Sequence, residues 1–567
     1  MHDLVIRNAT LVDGTGAPKR VSDVAVDDNS ISAVAPKLDV GKREINADGL
    51  LLTPGWVDIH THYDGQATWD PYLTPSSWHG VTTAVFGNCG VGFAPVRPGQ
   101  ERYLINLMEG VEDIPETVLA EGIDFRWESF PQYLDALQTM PRIMDIGAQV
   151  PHCALRFYVM GERGADHAEV PTDAEIAEMG LLLEQSLRAG ALGLTTSRTI
   201  KHRAKDGRYT PGLTAMEPEL AGLALAMKRA GSGVIEVNSD FRDGDFEKLR
   251  AAAEIAQCPL SVLLLQVHNA PDLWKDTLAG ITAARARGQN VTGQVGTRPI
   301  GMMMALEGTI HPFVTHPLWT AMNDLTPAER VARIQSNAEL RRKLWAELPD
   351  NEHTRWIVDM LPRTFRLQEP LDYEPEFASS VTALAQAARR DAVDLTLELL
   401  LEKNGKAILL HTFENYFAGD MDIVRTLLAD PGTICGIADA GAHVGSICDA
   451  GSATGMLTHW VRDRKRGPGL PLEYLVKKQT LDTARTYGLN DRGVIAPGYR
   501  ADFNLIDFDA LRVTLPELIY DLPAGGRRMI QRAEGYRHTF VAGTETMVNG
   551  EATGALPGRL IRGEQKI

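Results

Sequence analysis

Between residues 56 and 440, short apolar runs recur, and most are separated by one stretch of helical periodicity. The runs are Val57–His62, Thr82–Asn88, Asp145–Val150, Leu192–Thr196, Val234–Asn238, Ser261–Val267, Asn290–Val295 and Ile434–Asp439. Ala174–Ala189, Pro218–Ala230, Phe246–Ala256, Asp272–Arg287, Ala378–Arg390 and Leu472–Thr480 instead place their apolar residues at helical intervals. Near-continuous apolar strands alternating with amphipathic helices predict an α/β fold whose parallel sheet is covered by helices. Eight such strands match a (β/α)8 barrel of the TIM type. A ninth run, Ile408–His411, falls outside this alternation and reads as part of an insertion.

The two ends of the chain have a different pattern. Leu4–Asn8, Thr10–Val12, Val21–Val26, Ile31–Val34 and Leu50–Leu52 are short strands punctuated by Gly14, Gly16, Pro18 and Asp48-Gly49. Ala501–Asp507, His538–Ala542 and Thr546–Val548 are similar, and Asn549-Gly550 is a hairpin signal. Both ends together predict one small β-sandwich domain, residues 1–54 plus 493–567, around a barrel spanning 55–492. About 140 residues separate strands seven and eight, far more than an ordinary connection. That excess predicts a helical insertion over 297–405, where Asp324–Leu344 is charged and helical in pattern and Trp356–Pro362 is apolar. A second insertion, 92–140, carries Leu107, Met108, Val111, Trp127, Phe130 and Tyr133. Each insertion reads either as a cover over the barrel mouth or as a peripheral subdomain or dimer contact.

Barrel active sites lie at the C-terminal ends of the strands, so the polar residues there are the candidates for chemistry. Strand one ends His60-Thr61-His62, and residues two apart in an extended strand share a face. Two neutral imidazoles on one face can hold a transition metal. Cys89 follows strand two, and Asp439 ends strand eight. Imidazole, thiolate and carboxylate are all zinc ligands, and a metal so held brings the pKa of a bound water toward neutrality. Asp439 could then act both as a ligand and as the proton shuttle between water and a leaving nitrogen. A lone buried cysteine also serves as a small core residue, so Cys89 keeps both readings. Asn238 ends strand five, His268 follows strand six, Arg298 follows strand seven, and His443 lies four residues beyond Asp439. Arg298 is a candidate partner for a substrate carboxylate. His268, His411 and His443 are candidate substitute ligands or supporting groups, with a plain turn role equally open for His443.

Composition narrows the class. The 567 residues carry 57 Lys and Arg against 74 Asp and Glu, a formal net charge of −17, which argues against a nucleic-acid partner. The five cysteines form no C-x-x-C pair, as expected of reduced thiols in a cytoplasmic protein. Met1–Thr10 reads as a strand rather than a signal peptide, and no apolar run approaches the roughly 20 residues of a membrane span. No phosphate loop, dinucleotide fingerprint or G-x-S-x-G elbow is present, which leaves nucleotide cofactors and serine-hydrolase chemistry without support.

Four segments carry a resemblance. Pro54-Gly55-Trp56-Val57-Asp58-Ile59-His60-Thr61-His62, Gly80-Val81-Thr82-Thr83 running to Gly87-Asn88-Cys89-Gly90, Ala438-Asp439-Ala440-Gly441-Ala442-His443 and Arg492-Gly493-Val494-Ile495-Ala496-Pro497-Gly498 stand in this order. The chain thereby resembles the amidohydrolase superfamily and, within it, the N-acyl-D-amino-acid deacylases. The resemblance implies zinc, Cys89 as a metal ligand in place of a modified lysine, and Asp439 as the catalytic carboxylate. It also implies a metal-ligating histidine at the end of strand five and another at strand six. Here Asn238 occupies the first place, and His268 falls a few residues late for the second. An amide oxygen is a poorer zinc ligand than imidazole. The expectation is therefore one zinc ion rather than two, held by His60, His62, Asp439 and Cys89. The expected activity is hydrolysis of an amide C–N bond in a small molecule. A cyclic-amide hydrolase of hydantoinase type, or a non-catalytic binding protein on the same scaffold, are the alternatives; a homo-oligomer is compatible with all three.

Overall fold

From Trp56 to Cys435 the chain lays down the barrel in sequence order. The computed structural model describes all 567 residues. Trp56–Asp58, Val81–Phe86 and Asp145–Ala148 pair in parallel as strands one to three. After a break at Gln149, Val150–Pro151 continues strand three beside Gly193–Arg198. Val234–Ser239, Leu260–Leu263, Val291–Val295 and Thr433–Cys435 follow as strands five to eight, each parallel to the one before. A parallel bridge between Thr61 and Ala440 joins strand eight back to strand one and closes the ring. Every residue of Val81–Phe86 is buried, as expected of a strand covered on both faces.

Strands one, six and eight are shorter than the apolar pattern predicts, whereas strands four and five run slightly further, to Arg198 and Ser239. Strand one ends as a regular element at Asp58, strand six at Leu263 and strand eight at Cys435. His60 and His62 lie just beyond strand one, and Asp439 lies in the turn that follows strand eight. The outer helices follow the expected periodicity closely. Asp173–Ala189 starts on a capping box in which the Thr172 hydroxyl accepts from the Glu175 N–H, and stops at Gly190, whose φ of 113° suits only glycine.

Ile300–Met304, Leu409–Glu414 and Thr364–Arg366 form a separate antiparallel sheet. The ninth apolar run thus lies outside the barrel, although its strand extends to Glu414. The helices Pro327–Ser336, Ala338–Ala346, Glu352–Met360, Val381–Ala388 and Ala392–Gly405 accompany this sheet. Together they bury their own apolar cluster, with Phe313, Trp319, Ile334, Ile357 and Leu397 at its centre.

Strands from both chain ends share one hydrogen-bonded sheet, in which Leu51–Pro54 pairs with Phe503–Ile506. His2–Leu11 forms one continuous strand where two were expected. On one edge it pairs first with Gly41–Asn46 and then with Leu51–Pro54. That fork folds the sheet around a core of Leu4, Ile6, Leu11, Val24, Leu52, Phe503 and Phe540. Gly41–Asn46 was not predicted as a strand, because Lys42, Arg43 and Glu44 hide its single apolar position, Ile45. Asn549 and Gly550, both at positive φ, make the expected hairpin between Thr544–Val548 and Glu551–Ala552.

A buried ion network ties the C-terminal segment to the barrel. Asp145 of strand three accepts from Arg492 Nη1 and Arg500 Nη2, both at 2.9 Å, and from the Arg559 backbone N–H at 2.9 Å. Arg492 also donates to Thr83 Oγ1 of strand two at 2.8 Å. Removing one partner of a buried pair leaves the other charge uncompensated, which costs about 3–5 kcal/mol. Asp145→Ala is therefore expected to lower stability by about that amount, read as a displaced denaturation midpoint in urea. A midpoint equal to wild type would refute this role.

Candidate metal centre

His60 and His62 project from the extended chain after strand one, with ring centroids 5.4 Å apart and planes at 69°. Three backbone bonds fix this segment. Thr61 N–H donates to Val85 O at 3.1 Å, His62 N–H to Ala440 O at 2.8 Å, and Asp439 N–H to His60 O at 3.1 Å. The last two place Asp439 directly across from the histidines. Asp439 Oδ1 lies 3.3 Å from His60 Nε2 and 3.6 Å from His62 Nε2. Cys89 Sγ lies 3.5 Å from His60 Nε2. The ligand atoms of His60, His62 and Cys89 lie within 4.8 Å of one another, and all three residues are buried. Of the sequence candidates, the structure thus brings His60, His62, Cys89 and Asp439 to one point.

Two of these residues sit in strained backbone, Cys89 at φ 55° and Asp439 at φ 47°. Left-handed backbone at non-glycine residues persists only where the surroundings over-determine it. Gly441 shows how closely they do so. It has φ 94°, and a Cβ there would meet His62 O at 2.8 Å. Glycine is required for strand eight's loop to approach the histidines.

Residues behind the cluster orient it. Gln294 Nε2 donates to Ser261 Oγ at 2.9 Å, which turns Gln294 Oε1 toward His60 Nδ1, also at 2.9 Å. His60 Nδ1–H therefore donates and Nε2 keeps its lone pair for a metal. His62 Nδ1 faces Glu112 Oε1 at 3.4 Å. Glu236 Oε2 accepts the Cys89 backbone N–H at 3.1 Å, and Glu236 Oε1 lies 3.8 Å from His60 Nδ1.

The donor set fits a divalent cation. Burial pushes Asp58 and Asp64 up to about 7 and Glu236 up to about 8, and it raises Glu112 as well. Burial would also raise Asp439, but the hydrogen bond from His62 and the charges of His60, His62 and His443 hold it well below the usual carboxylate range. His62 would be lowered by burial, yet Glu112, Asp439 and Asp64 lift it to about 9. The ionised forms of Asp58, Asp64, Glu112 and Glu236 are disfavoured by burial first and by neighbouring carboxylates second, and a bound cation would offset both. A metal at Nε2 supplies that positive charge without a proton.

The other candidates are placed differently. His443, at φ 50°, lies at the edge of the site with Nε2 3.5 Å from Glu112 Oε2. Asn238 is half-buried beside the cluster, its Nδ2 3.7 Å from Cys89 Sγ. His268 packs edge-on against Phe417, with ring centroids 6.2 Å apart. The chain leaves the barrel wall after Leu263 and turns through a Val267–Ala270 bridge, so His268 does not enter the ligand cluster. His411 stands on the separate antiparallel sheet, where Nδ1 meets Met360 O at 3.1 Å. Burial, foremost, holds both imidazoles down at about 4. Arg298 is not free for a substrate carboxylate. It is buried against Asp449 at 2.7 Å and stacks on Tyr373 with its guanidinium carbon 4.0 Å from the ring centroid.

Sequence reasoning missed Glu112, Glu236 and His202. Glu112 ends the helix Glu101–Glu112 of the first insertion, and nothing in its local pattern marks it as facing the barrel. Glu236 was visible as a charge inside an apolar strand. His202 lies in the polar loop after strand four, with Nε2 3.2 Å from Asn238 Nδ2 and Nδ1 2.9 Å from Ser197 Oγ. Burial and then His443, His62 and Lys201 push it down to about 3, so it is a neutral imidazole.

These features accord with the relatives. The family model described as the amidohydrolase family matches residues 43–550, and the chain belongs to that family. It is 27% identical over 567 residues to the N-acyl-D-aspartate deacylase of Alcaligenes xylosoxydans xylosoxydans, covering 99% of this chain and 95% of that protein. It is 26% identical over 579 residues to the N-acyl-D-glutamate deacylase of the same organism, covering 100% and 97%. A solved D-aminoacylase superposes with a TM-score of 0.65 at 22% identity over 100% of both chains. The N-acyl-D-glutamate deacylase of Bordetella bronchiseptica, solved with zinc and a phosphonate inhibitor, gives 0.64 at 23% identity over 99% of each. The two solved structures bear on the fold, and the full-length relatives on the activity. The protein is a metal-dependent hydrolase of amide C–N bonds other than peptide bonds, and the expected deacylase resemblance holds.

Gln294→Leu removes the acceptor that fixes the His60 tautomer. Metal affinity is expected to fall about 10–100-fold, measured by competition with a chromophoric chelator. Unchanged affinity would show that Gln294 does not orient the ligand.

Proposed function

We propose that this protein is a one-zinc deacylase that removes the acyl group from an N-acyl-D-amino acid, yielding a carboxylate and the free amino acid. The carrying observation is the position of Asp439 Oδ1, 3.3 and 3.6 Å from the two imidazole Nε2 atoms. The full-length relatives named as deacylases of N-acyl-D-aspartate and N-acyl-D-glutamate support the substrate class. His60, His62 and Asp439 would hold the ion, with Cys89 as the fourth donor. When bound, the ion supplies Lewis acidity, bringing a water's pKa toward neutrality and polarising the acyl carbonyl.

The chain's own groups then divide the work. Asp439, kept ionised by its histidine neighbours, takes the proton from the attacking water. It delivers that proton to the amide nitrogen as the C–N bond breaks, so the amine leaves neutral. Gln294 holds His60 in one tautomer throughout. Glu112 braces His62 from behind and His443 from the side, and His443 in turn orients the substrate at the mouth. No helix is long and apolar enough to cross a membrane, and all five cysteines are free, which fits a cytoplasmic enzyme acting on a small molecule.

Asp439→Asn keeps the shape of the side chain and removes its basicity. The variant, with zinc still bound by elemental analysis, is expected to lose about 10²–10⁴-fold in kcat on an N-acyl-D-amino acid panel. Near-normal turnover would sink the proton-shuttle assignment. Treating the wild type with a chelator is expected to abolish hydrolysis, and zinc is expected to restore it. Activity that survives metal removal would refute the mechanism.

A further inference from the structure

The end of strand five offers an amide where an imidazole was expected, and that amide is not idle. Asn238 Nδ2 lies 3.7 Å from Cys89 Sγ and 3.2 Å from His202 Nε2. An amide nitrogen has two N–H groups and no lone pair to offer, so it donates to both neighbours. His202 Nε2 must then accept, which leaves the ring proton on Nδ1, facing Ser197 Oγ at 2.9 Å. The reverse amide orientation would set a carbonyl oxygen against the cysteine sulfur, lone pair against lone pair, so Cys89 selects the orientation of Asn238 and His202 holds it by accepting the second N–H. Ser197 and His202 lie outside the strand-one and strand-eight segments that carry His60, His62 and Asp439: Ser197 in strand four, His202 in the loop after it.

We infer that Asn238, held by His202, stands against Cys89 where a second metal ion would have to bind, and so restricts the centre to one ion. This inference rests on the one-zinc reading above and supplies its cause. A thiolate bridges two cations only when a further lone pair is free for the second. Here a polarised N–H group occupies that direction and offers Cys89 a partial positive charge instead. The residue types agree, because an amide presenting N–H groups repels a cation, whereas an imidazole lone pair would bind it. His202 acts through Asn238 and is a positioning residue.

The test counts ions and reads the sulfur environment. Full-length wild type equilibrated with excess zinc is expected to retain one ion per chain after gel filtration, and one anomalous peak in crystals. N238H replaces the donor amide with an imidazole beside Cys89 and His202, and is expected to retain two ions. Adding His202→Ala to N238H should return the count to one. Two ions in the wild type, or one in N238H, would overturn the inference. A second readout does not depend on N238H folding. In the cobalt-loaded enzyme, His202→Ala should shift the thiolate-to-cobalt charge-transfer band, because Asn238 is no longer held toward Cys89. An unmoved band would overturn the positioning role. The two readings fail separately: a two-ion wild type that still hydrolyses N-acyl-D-amino acids refutes this inference alone, whereas a one-ion wild type with no such activity refutes the proposed substrate class alone.

Discussion

The site depends on the closure of the barrel between its first and last strands. The Thr61–Ala440 bridge and the bonds His62 N–H to Ala440 O and Asp439 N–H to His60 O hold two chain segments in register. They are almost 380 residues apart in sequence. A slip of one residue along the strand-one segment would turn both imidazoles away from Asp439, because side chains on extended chain alternate in direction. Metal, carboxylate and histidines therefore share one geometric determinant. The glycine at 441 and the left-handed turns at Cys89 and Asp439 are the local cost of bringing three loops to one point.

Charge compensation sets the second constraint. Asp58, Asp64, Glu112, Glu236 and Asp439 are buried or nearly so around two imidazoles. Such a cluster is stabilised by positive charge or by protonation of its acids. Neighbouring groups fix the orientation of the candidate donors. Gln294 fixes which nitrogen of His60 is available, Glu112 faces the rear of His62, and Glu236 anchors the Cys89 backbone. Asn238 and His202 complete the ring on the remaining side of Cys89. His60 and Cys89 are thus oriented by hydrogen bonds with groups behind them.

The peripheral parts serve the same centre from a distance. Glu112 arrives from the first insertion, and its backbone carbonyl also accepts the His443 N–H, so that insertion shapes the site directly. The antiparallel sheet of the second insertion carries His411 away from the metal and has a core of its own. Arg298, at the end of strand seven, is committed to Asp449 and Tyr373, fixing the loop that follows Asp439.

The chain by itself determined the eight-stranded plan, because buried parallel strands and amphipathic helices leave different periodicities. It also marked His60, His62 and Cys89 as candidates for one site, because His60-x-His62 and Cys89 follow apolar strands directly. Asp439 was legible for the same reason. Where strands stop was not legible: the ladder ends at Asp58 and Cys435, although the apolar pattern runs on to His62 and Asp439. Hydrogen-bond partners, not hydrophobicity, decide that boundary. Glu112 and His202 came only with the tertiary structure, since each reaches the centre from a different element and neither has a local pattern that says where it points. His268 and Arg298 show the converse. Both follow strands as ligands would, and both are turned aside by contacts with residues distant in sequence.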